Sequence, residues 1–254
     1  MSKYESLHTD SFSPSFGGGR GEASGVRGGS NYISKLIQQG EHQQQDFKYC
    51  ITDSRKIARS LVAFANTDGG RLLVGVKDNG RIAGVRSDEE YYMIESAAKM
   101  YSKPPIEFTT QQHFVEGKTV LEVMIEPSTE KPHFARDDDG KWWAYFRKDD
   151  ENRRANKIMI EVWKRQKSPD GILITYSDAE KCLLDYLETN KKISVSKFAR
   201  IAHLSFKKAE QIIINFRTLN ILKDCIGDSR IDYGINEEFD REEWEKGNGK
   251  NKVQ

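Results

Sequence analysis

A double glycine followed by an apolar run constrains this chain more than any other feature. Residues 64–85 read FANTDGGRLLVGVKDNGRIAGV. Gly69 and Gly70 follow an apolar-periodic segment, where a left-handed residue is needed to close a helix. Leu72, Leu73, Val74 and Val76 form a run apolar on both faces, as an interior strand requires. Asn79-Gly80 supplies the two positive-φ positions of a type I′ turn. The stretch is therefore expected to run as helix end, turn, buried strand, hairpin loop and return strand. An ordinary structural hairpin would carry the same residues, so function has to be read from what surrounds them.

Charge excludes little: 40 Lys and Arg stand against 39 Asp and Glu over 254 residues. That length suffices for one large or two medium domains with a self-sufficient core. Cys50, Cys182 and Cys225 are odd in number and far apart, which suits a reducing compartment and gives neither a disulfide framework nor a zinc spacing. No apolar run reaches membrane-spanning length, and the N-terminus lacks the hydrophobic core of a signal peptide. A cytoplasmic protein with no membrane partner is the expectation. Residues 1–30 are rich in glycine and serine and read as a flexible tail.

Order is expected from Asn31. Tyr32, Ile33, Leu36 and Ile37 have helical spacing, with Gly40 ending that helix. Phe47, apolar between charged neighbours, marks a short strand with Asp46 and Lys48 on the face opposite to it. Thr52 or Asp53 caps a helix in which Ile57, Leu61, Phe64 and Ala65 share one face. Ser87 and Glu90 form a capping box for a helix over 88–101, stopped by Pro104-Pro105. Residues 106–115 and 118–126 alternate as a hairpin around Glu116-Gly117. A second pair, 132–136 with 141–147, is joined by Asp137-Asp138-Asp139-Gly140, and a helix over 151–166 closes the unit. The mixed order predicts α+β with a partly antiparallel sheet.

Glu41, Asp46, Phe47 and Lys48 form the string E-x4-D-F-K, followed by AFANTDGG at 63–70 and LLVGVKDNGRIAGV. Together with Tyr145-Phe146-Arg147 and Arg153-Arg154-Ala155, these motifs resemble the Schlafen AlbA-like domain, a bacterial DNA-binding family, over roughly 31–160. The resemblance implies a site. Nuclease-active relatives use three carboxylates, which fall here on Glu41, Asp46 and Asp78. Such a set suits Mg²⁺ or Mn²⁺, which can activate water and stabilise charge on a phosphate. Lys48 would then pair with the phosphate. Arg147, Arg153 and Arg154 would contact nucleic acid. The chain departs from the pattern in two places: Asp46 is one methylene shorter than the usual Glu, and Asp149, Asp150 and Glu151 replace small residues and repel phosphate. Relatives are also labelled ATP-binding, but no G-x4-G-K-[ST] occurs. His113 and His133 lack a second His or a Cys at ligand spacing, which favours structural roles.

The pattern changes after the linker signal Ser168-Pro169-Asp170-Gly171. Ser177 and Glu180 make another capping box, with Leu183, Leu184 and Leu187 as the apolar face. Helices over 193–202 and 205–219 follow, the latter with Ala209, Ile212, Ile213, Phe216 and Leu219 inward. Residues 223–235 then suit a two-stranded wing. This order resembles a winged-helix DNA-binding domain, whose third helix enters the major groove by its N-terminal half. Ser205, Lys207, Lys208, Gln211 and Asn215 are its polar positions. The lysines would neutralise phosphates, and Gln and Asn can read adenine edges. Residues 178–223 carry nine Lys and Arg against five Asp and Glu, whereas 224–245 carry two against nine. An acidic wing equally suits an interaction or dimerisation module.

The expected organisation is a tail (1–30), a Schlafen AlbA-like domain (31–167), a linker (168–176), a winged-helix-like domain (177–236) and an acidic disordered tail (237–254). The expected function is a DNA-binding transcriptional regulator that needs no cofactor to bind, with a homodimer left open. The alternatives are a Mg²⁺- or Mn²⁺-dependent nuclease acting on structured RNA or DNA, and an ATP-binding sensor.

Overall fold

The structure, a computed structural model, describes residues 26–168 and 176–249; the expected linker largely lies outside these, as does most of the N-terminal tail. In chain order the elements are α1 (Val26–Gln39), β1 (Gln45–Lys48), α2 (Ser54–Asn66), β2 (Gly70–Val74), α3 (Glu89–Lys99) and β3 (Ser102–Lys103). Then come β4 (Thr109–Val115), β5 (Lys118–Ile125), β6 (Phe134–Arg136), β7 (Trp142–Trp143), β8 (Tyr145–Lys148), β9 (Glu151–Arg154) and α4 (Lys157–Lys167). The chain continues through α5 (Asp178–Thr189), α6 (Val195–Ile201), α7 (Phe206–Thr218), β10 (Leu222–Ile226), β11 (Ile231–Ile235) and α8 (Arg241–Gly249). The fold is α+β. Among the described residues no helix is long and apolar enough to cross a membrane.

The central sheet has the order β1-β2-β5-β4. β1 lies parallel to β2, and the remaining neighbours are antiparallel. β2 is an interior strand because its side chains feed two cores. Leu73 joins Phe47, Val115 and Val120 beneath α1 residues Ile33 and Leu36. Leu72 and Val74 point the other way, into the cluster made with α2 and α3. This alternation places apolar residues on both faces of one strand, as the continuous apolar run required. Asp53 caps α2 by accepting the Arg55 amide at 2.9 Å. The helix ends through Gly69, whose φ is +69° and whose amide bonds the Phe64 carbonyl.

The turn chemistry differs from expectation in an instructive way. Gly80 has φ +77° but Asn79 is not in the left-handed region, and the closing bond runs from the Gly80 amide to the Lys77 carbonyl. The turn is therefore centred on Asp78-Asn79 rather than being a type I′ turn at Asn79-Gly80. Its return arm forms a single bridge, Val76 with Ile82, instead of a strand. Gly75 and Gly84 explain why. A Cβ on Gly75 would lie 2.8 Å from the Gly84 carbonyl carbon, so the two backbones touch and the arm turns away. The type I′ pair belongs instead to Glu116 and Gly117, at φ +50° and +75°, joining β4 to β5.

Two further elements correct the sequence reading. Residues 151–154 are β9, paired antiparallel with β8, where a helix start was expected; the helix begins only at Lys157. Asp149 turns this hairpin at φ +56°. The acidic end also holds a helix, α8, where a disordered tail was expected. Its Trp244 packs on Tyr176, Phe216 and Phe239.

The second core gathers α5, α6, α7 and the β10–β11 hairpin. Ser177 and Glu180 form the expected capping box. Ile193 adds a one-residue bridge to Tyr233 at the edge of the hairpin. Ala209, Ile212, Ile213 and Phe216 of α7 are buried as their spacing required, but Leu219 is 41% exposed because the helix has already ended. Ile158 and Val162 of α4 complete this second core, so α4 packs with α7 rather than only closing the first unit.

Candidate functional site

β1 is an edge strand, and its outward backbone is capped from within. Gly40, at φ +72°, turns the chain back so that Glu41 Oε1 accepts the Phe47 amide at 2.8 Å. Asp46 points toward α2 and is 4% exposed. Lys48 Nζ lies 2.9 Å from Asp46 Oδ1 and 2.8 Å from Oδ2, as a shared strand face predicts. Ser60 Oγ donates to Asp46 Oδ2 at 3.3 Å, and Asn152 Nδ2 donates to Ser60 Oγ at 2.9 Å. Glu41 and Asp46 are electrostatic neighbours on this edge. Burial first, then the Asp46 carboxyl, pushes the Glu41 carboxyl above the ordinary glutamate value.

Asp78 does not join them. It sits exposed in the turn after β2, and among the described residues no group of three or more His, Cys, Asp or Glu side chains is arranged to hold a metal ion. The expected three-carboxylate centre of Glu41, Asp46 and Asp78 is thus reduced to a pair. The physical reason is the Gly75–Gly84 contact, which closes the loop on itself. Moreover, Asp46 already binds Lys48 and Ser60, leaving little open carboxylate for a hard cation that wants six or more oxygens. The residues do not fit Mg²⁺ or Mn²⁺, and Lys48 serves as the counter-charge of Asp46.

Glu41 has a pH signature. Because its folded value is raised, Glu41 contributes stability below its unfolded value, about 4.3, and loses it as pH rises through the folded value. Glu41→Gln removes that titration, and its amide can still accept from Phe47. The variant is expected to gain on wild type as pH rises from about 4 to 7, in urea midpoints measured at each pH. A difference that is flat or falls with pH would count against a raised Glu41 carboxyl.

The AFANTDGG segment is a structural hub. Asn66 Nδ2 donates to the carbonyls of His133 (2.9 Å) and Tyr145 (2.8 Å), while its Oδ1 accepts the His133 amide at 2.8 Å. Thr67 Oγ1 accepts the Arg147 amide at 2.9 Å. Asp68 holds Gln43 and Gln44 through its carboxylate and carbonyl. Gly69 passes so near β5 that a Cβ would lie 2.7 Å from the Ile125 carbonyl oxygen. The motif therefore joins α2 to four separate segments through backbone groups, which no apolar side chain could do.

The three arginines part company. Arg147 is 2% exposed, with Nη2 donating to the carbonyls of His42 (3.3 Å) and Gln45 (3.1 Å) and Nη1 donating to Asn152 (3.1 Å). Its guanidinium lies over the Phe64 ring and 3.8 Å from Asp46. It offers no nitrogen to a phosphate. Arg153 donates to the Asp228 carbonyl at the tip of the β10–β11 hairpin, and Arg154 stacks 4.1 Å over Trp143.

On α7, Ser205 is the cap, accepting the Lys208 amide. Lys207, Lys208 and Gln211 are exposed in a row, with Asn215 half-buried a turn further on. Sequence reasoning missed what lies beside them. Arg165 of α4 donates from Nη1 to Asn215 Oδ1 at 2.7 Å, and Lys157 pairs with Glu210 at 2.6 Å. Both come from a helix that the sequence assigned to the other unit.

No curated protein matches this chain. Among solved structures, the DIP2311 protein from Corynebacterium diphtheriae is similar at 18% identity and TM-score 0.42, over 72% of this chain and 36% of that one. The present chain thus spans about a third of that protein. The N-terminal domain of a RecG-related protein from Nitrosomonas europaea is similar at 21% identity and TM-score 0.37, over 58% of this chain and 94% of that domain. The family model described as Schlafen, AlbA_2 matches residues 41–156, which span the carboxyl pair, the α2 hub and the β8–β9 hairpin. Residues 41–156 of this chain are therefore a Schlafen AlbA_2 domain.

Proposed function

We propose that this protein binds duplex DNA through α7, with the AlbA_2 unit as the platform that holds α7 in place, and that it acts as a transcriptional regulator. The observation that carries this reading is the solvent-facing row Lys207, Lys208 and Gln211 on the third helix of a three-helix unit ending in a two-stranded hairpin. We read that order, with the Ile193 bridge as its minimal first strand, as a winged helix. Such a unit sets the third helix against the major groove. The hairpin contributes little charge of its own, because Lys223 pairs with Glu237 and Arg230 with Asp232. Contact is accordingly concentrated on the helix.

Gel shifts of the full chain on a mixed-sequence duplex at graded salt test this. Lys207→Ala with Lys208→Ala is expected to lower affinity by roughly tenfold per lysine near ~0.1 M salt and to reduce the log–log salt slope by about 2, since each phosphate contact releases about 0.9 counterion. Both side chains are exposed, so folding should be unaffected. An unchanged slope, with wild type binding, would remove α7 from the interface.

A further inference from the structure

Arg165 places one guanidinium against both reading amides of α7. Its Nη1 donates to Asn215 Oδ1 at 2.7 Å. The Gln211 amide is turned so that its oxygen faces the guanidinium, in place of the orientation in which Nε2 donates to Asn215 Oδ1. Gln211 then accepts from Nη1 and Nη2, each at 2.8 Å, and the two amide oxygens lie 2.9 Å apart around the same guanidinium. Its Nε is fixed on Glu161 of the same helix at 3.2 Å, so the fork is held from behind. Arg165 is 27% exposed and its position is set by α4, which packs along α7.

The consequence is chemical. An Asn or Gln pairs with adenine through both ends of its amide, the oxygen accepting from N6 and the nitrogen donating to N7. Here both oxygens face Arg165, so what remains for a ligand is N–H alone, from the two amides and the outer edge of the guanidinium. A surface of donors matches a surface of acceptors. In the major groove the O6 and N7 of guanine form such an edge, and thymine adds O4.

Resting on the DNA-binding reading above, we infer that Arg165 is a specificity-determining residue, which turns the Gln211–Asn215 face of α7 from adenine edges to the acceptor edge of guanine. This replaces the adenine reading that Gln211 and Asn215 suggest by themselves.

The test is selection by the full chain from a duplex library with a randomised core, using wild type, Arg165→Met and Gln211→Leu. Arg165→Met keeps the apolar stem and removes the donors. Wild type is expected to enrich guanine at the positions under α7. Arg165→Met should shift those positions toward adenine by about tenfold in relative preference, the scale of one bidentate contact. Its affinity for unselected duplex should fall by less than about tenfold, since at most one phosphate-type contact is lost. Gln211→Leu, at an exposed position, should erase one enriched position and leave the rest. Wild-type enrichment of adenine, or identical preferences in all three proteins, overturns the role of Arg165 while leaving DNA binding intact. Absence of salt-dependent binding by wild type to any duplex overturns the underlying reading as well.

Discussion

Asn66→Ala is expected to lower the stability of the first unit by about 3–5 kcal/mol, because buried polar groups left without partners cost about 1–3 kcal/mol each. Three would be orphaned at once: the His133 carbonyl and amide and the Tyr145 carbonyl. Asn66 is 2% exposed, so water cannot easily replace it. The lost bonds also connect α2 to β8 and to the segment before β6, which lie more than sixty residues away in the chain. A shift of this size corresponds to a fall of roughly 10 °C in melting temperature for a domain of this length. Urea denaturation followed by tryptophan fluorescence measures it, with Trp142 and Trp143 on the adjoining strand reporting on this unit. A change below about 1 kcal/mol would mean the hub is replaceable and that the motif owes its composition to something else.

Much of this architecture was legible because burial acts through periodicity. The apolar run at 72–76 could be stable only between two layers, and the structure supplies α1 on one face and α2 with α3 on the other. The capping box at Ser177 was readable for a similar reason, since it depends on residues three apart. Before α3 only part of the expected box forms, Glu90 accepting the Ser87 amide while Asp88 caps the helix without a side-chain bond. What the sequence hid depends on partners far away. Asn79-Gly80 has the composition of a type I′ turn, yet the Gly75–Gly84 backbone contact decides the geometry there. Glu116-Gly117 has a weaker signal and adopts the type I′ form, because β4 and β5 pair along their whole length.

The candidate site shows the same division. Asp46 and Lys48 were placed together by strand alternation, and Glu41 reached them through the turn at Gly40. Asp78 was brought in by resemblance alone, and its loop carries it elsewhere. Arg147 was read as a surface cation although Tyr145 and Phe146 beside it are apolar on both faces of β8, a sign that this part of the strand is buried on both sides. Arg165 left no local trace: it lies about fifty residues before Asn215, on a helix whose core contacts belong to the second unit.

Arg147→Met separates the structural role of this arginine from the nucleic-acid contact that its family position implies. The guanidinium is held by two backbone carbonyls and Asn152 and lies 3.8 Å from Asp46. Methionine keeps most of the stem over Phe64 but removes the second donor from each of those carbonyls, which keep the mutual His42–Gln45 backbone bonds, and leaves Asp46 with Lys48 as its remaining charge partner. Removing one member of a buried charged group costs about 3–5 kcal/mol. The expected result is therefore a large loss in urea midpoint with a salt slope for DNA unchanged at temperatures where the variant is folded. Arg147→Lys should recover only part, since an ammonium cannot bridge two carbonyls and a side-chain amide as the planar fork does. Arg154→Ala, at an exposed position, serves as the comparison and should cost less than about 1 kcal/mol, the scale of an exposed cation–π contact. Were Arg147 a phosphate contact, the pattern would reverse: stability would hold, and the salt slope would fall by about 1. The geometry leaves no intermediate outcome, because an arginine buried to this extent cannot reach a phosphate without first releasing β1 and Asp46.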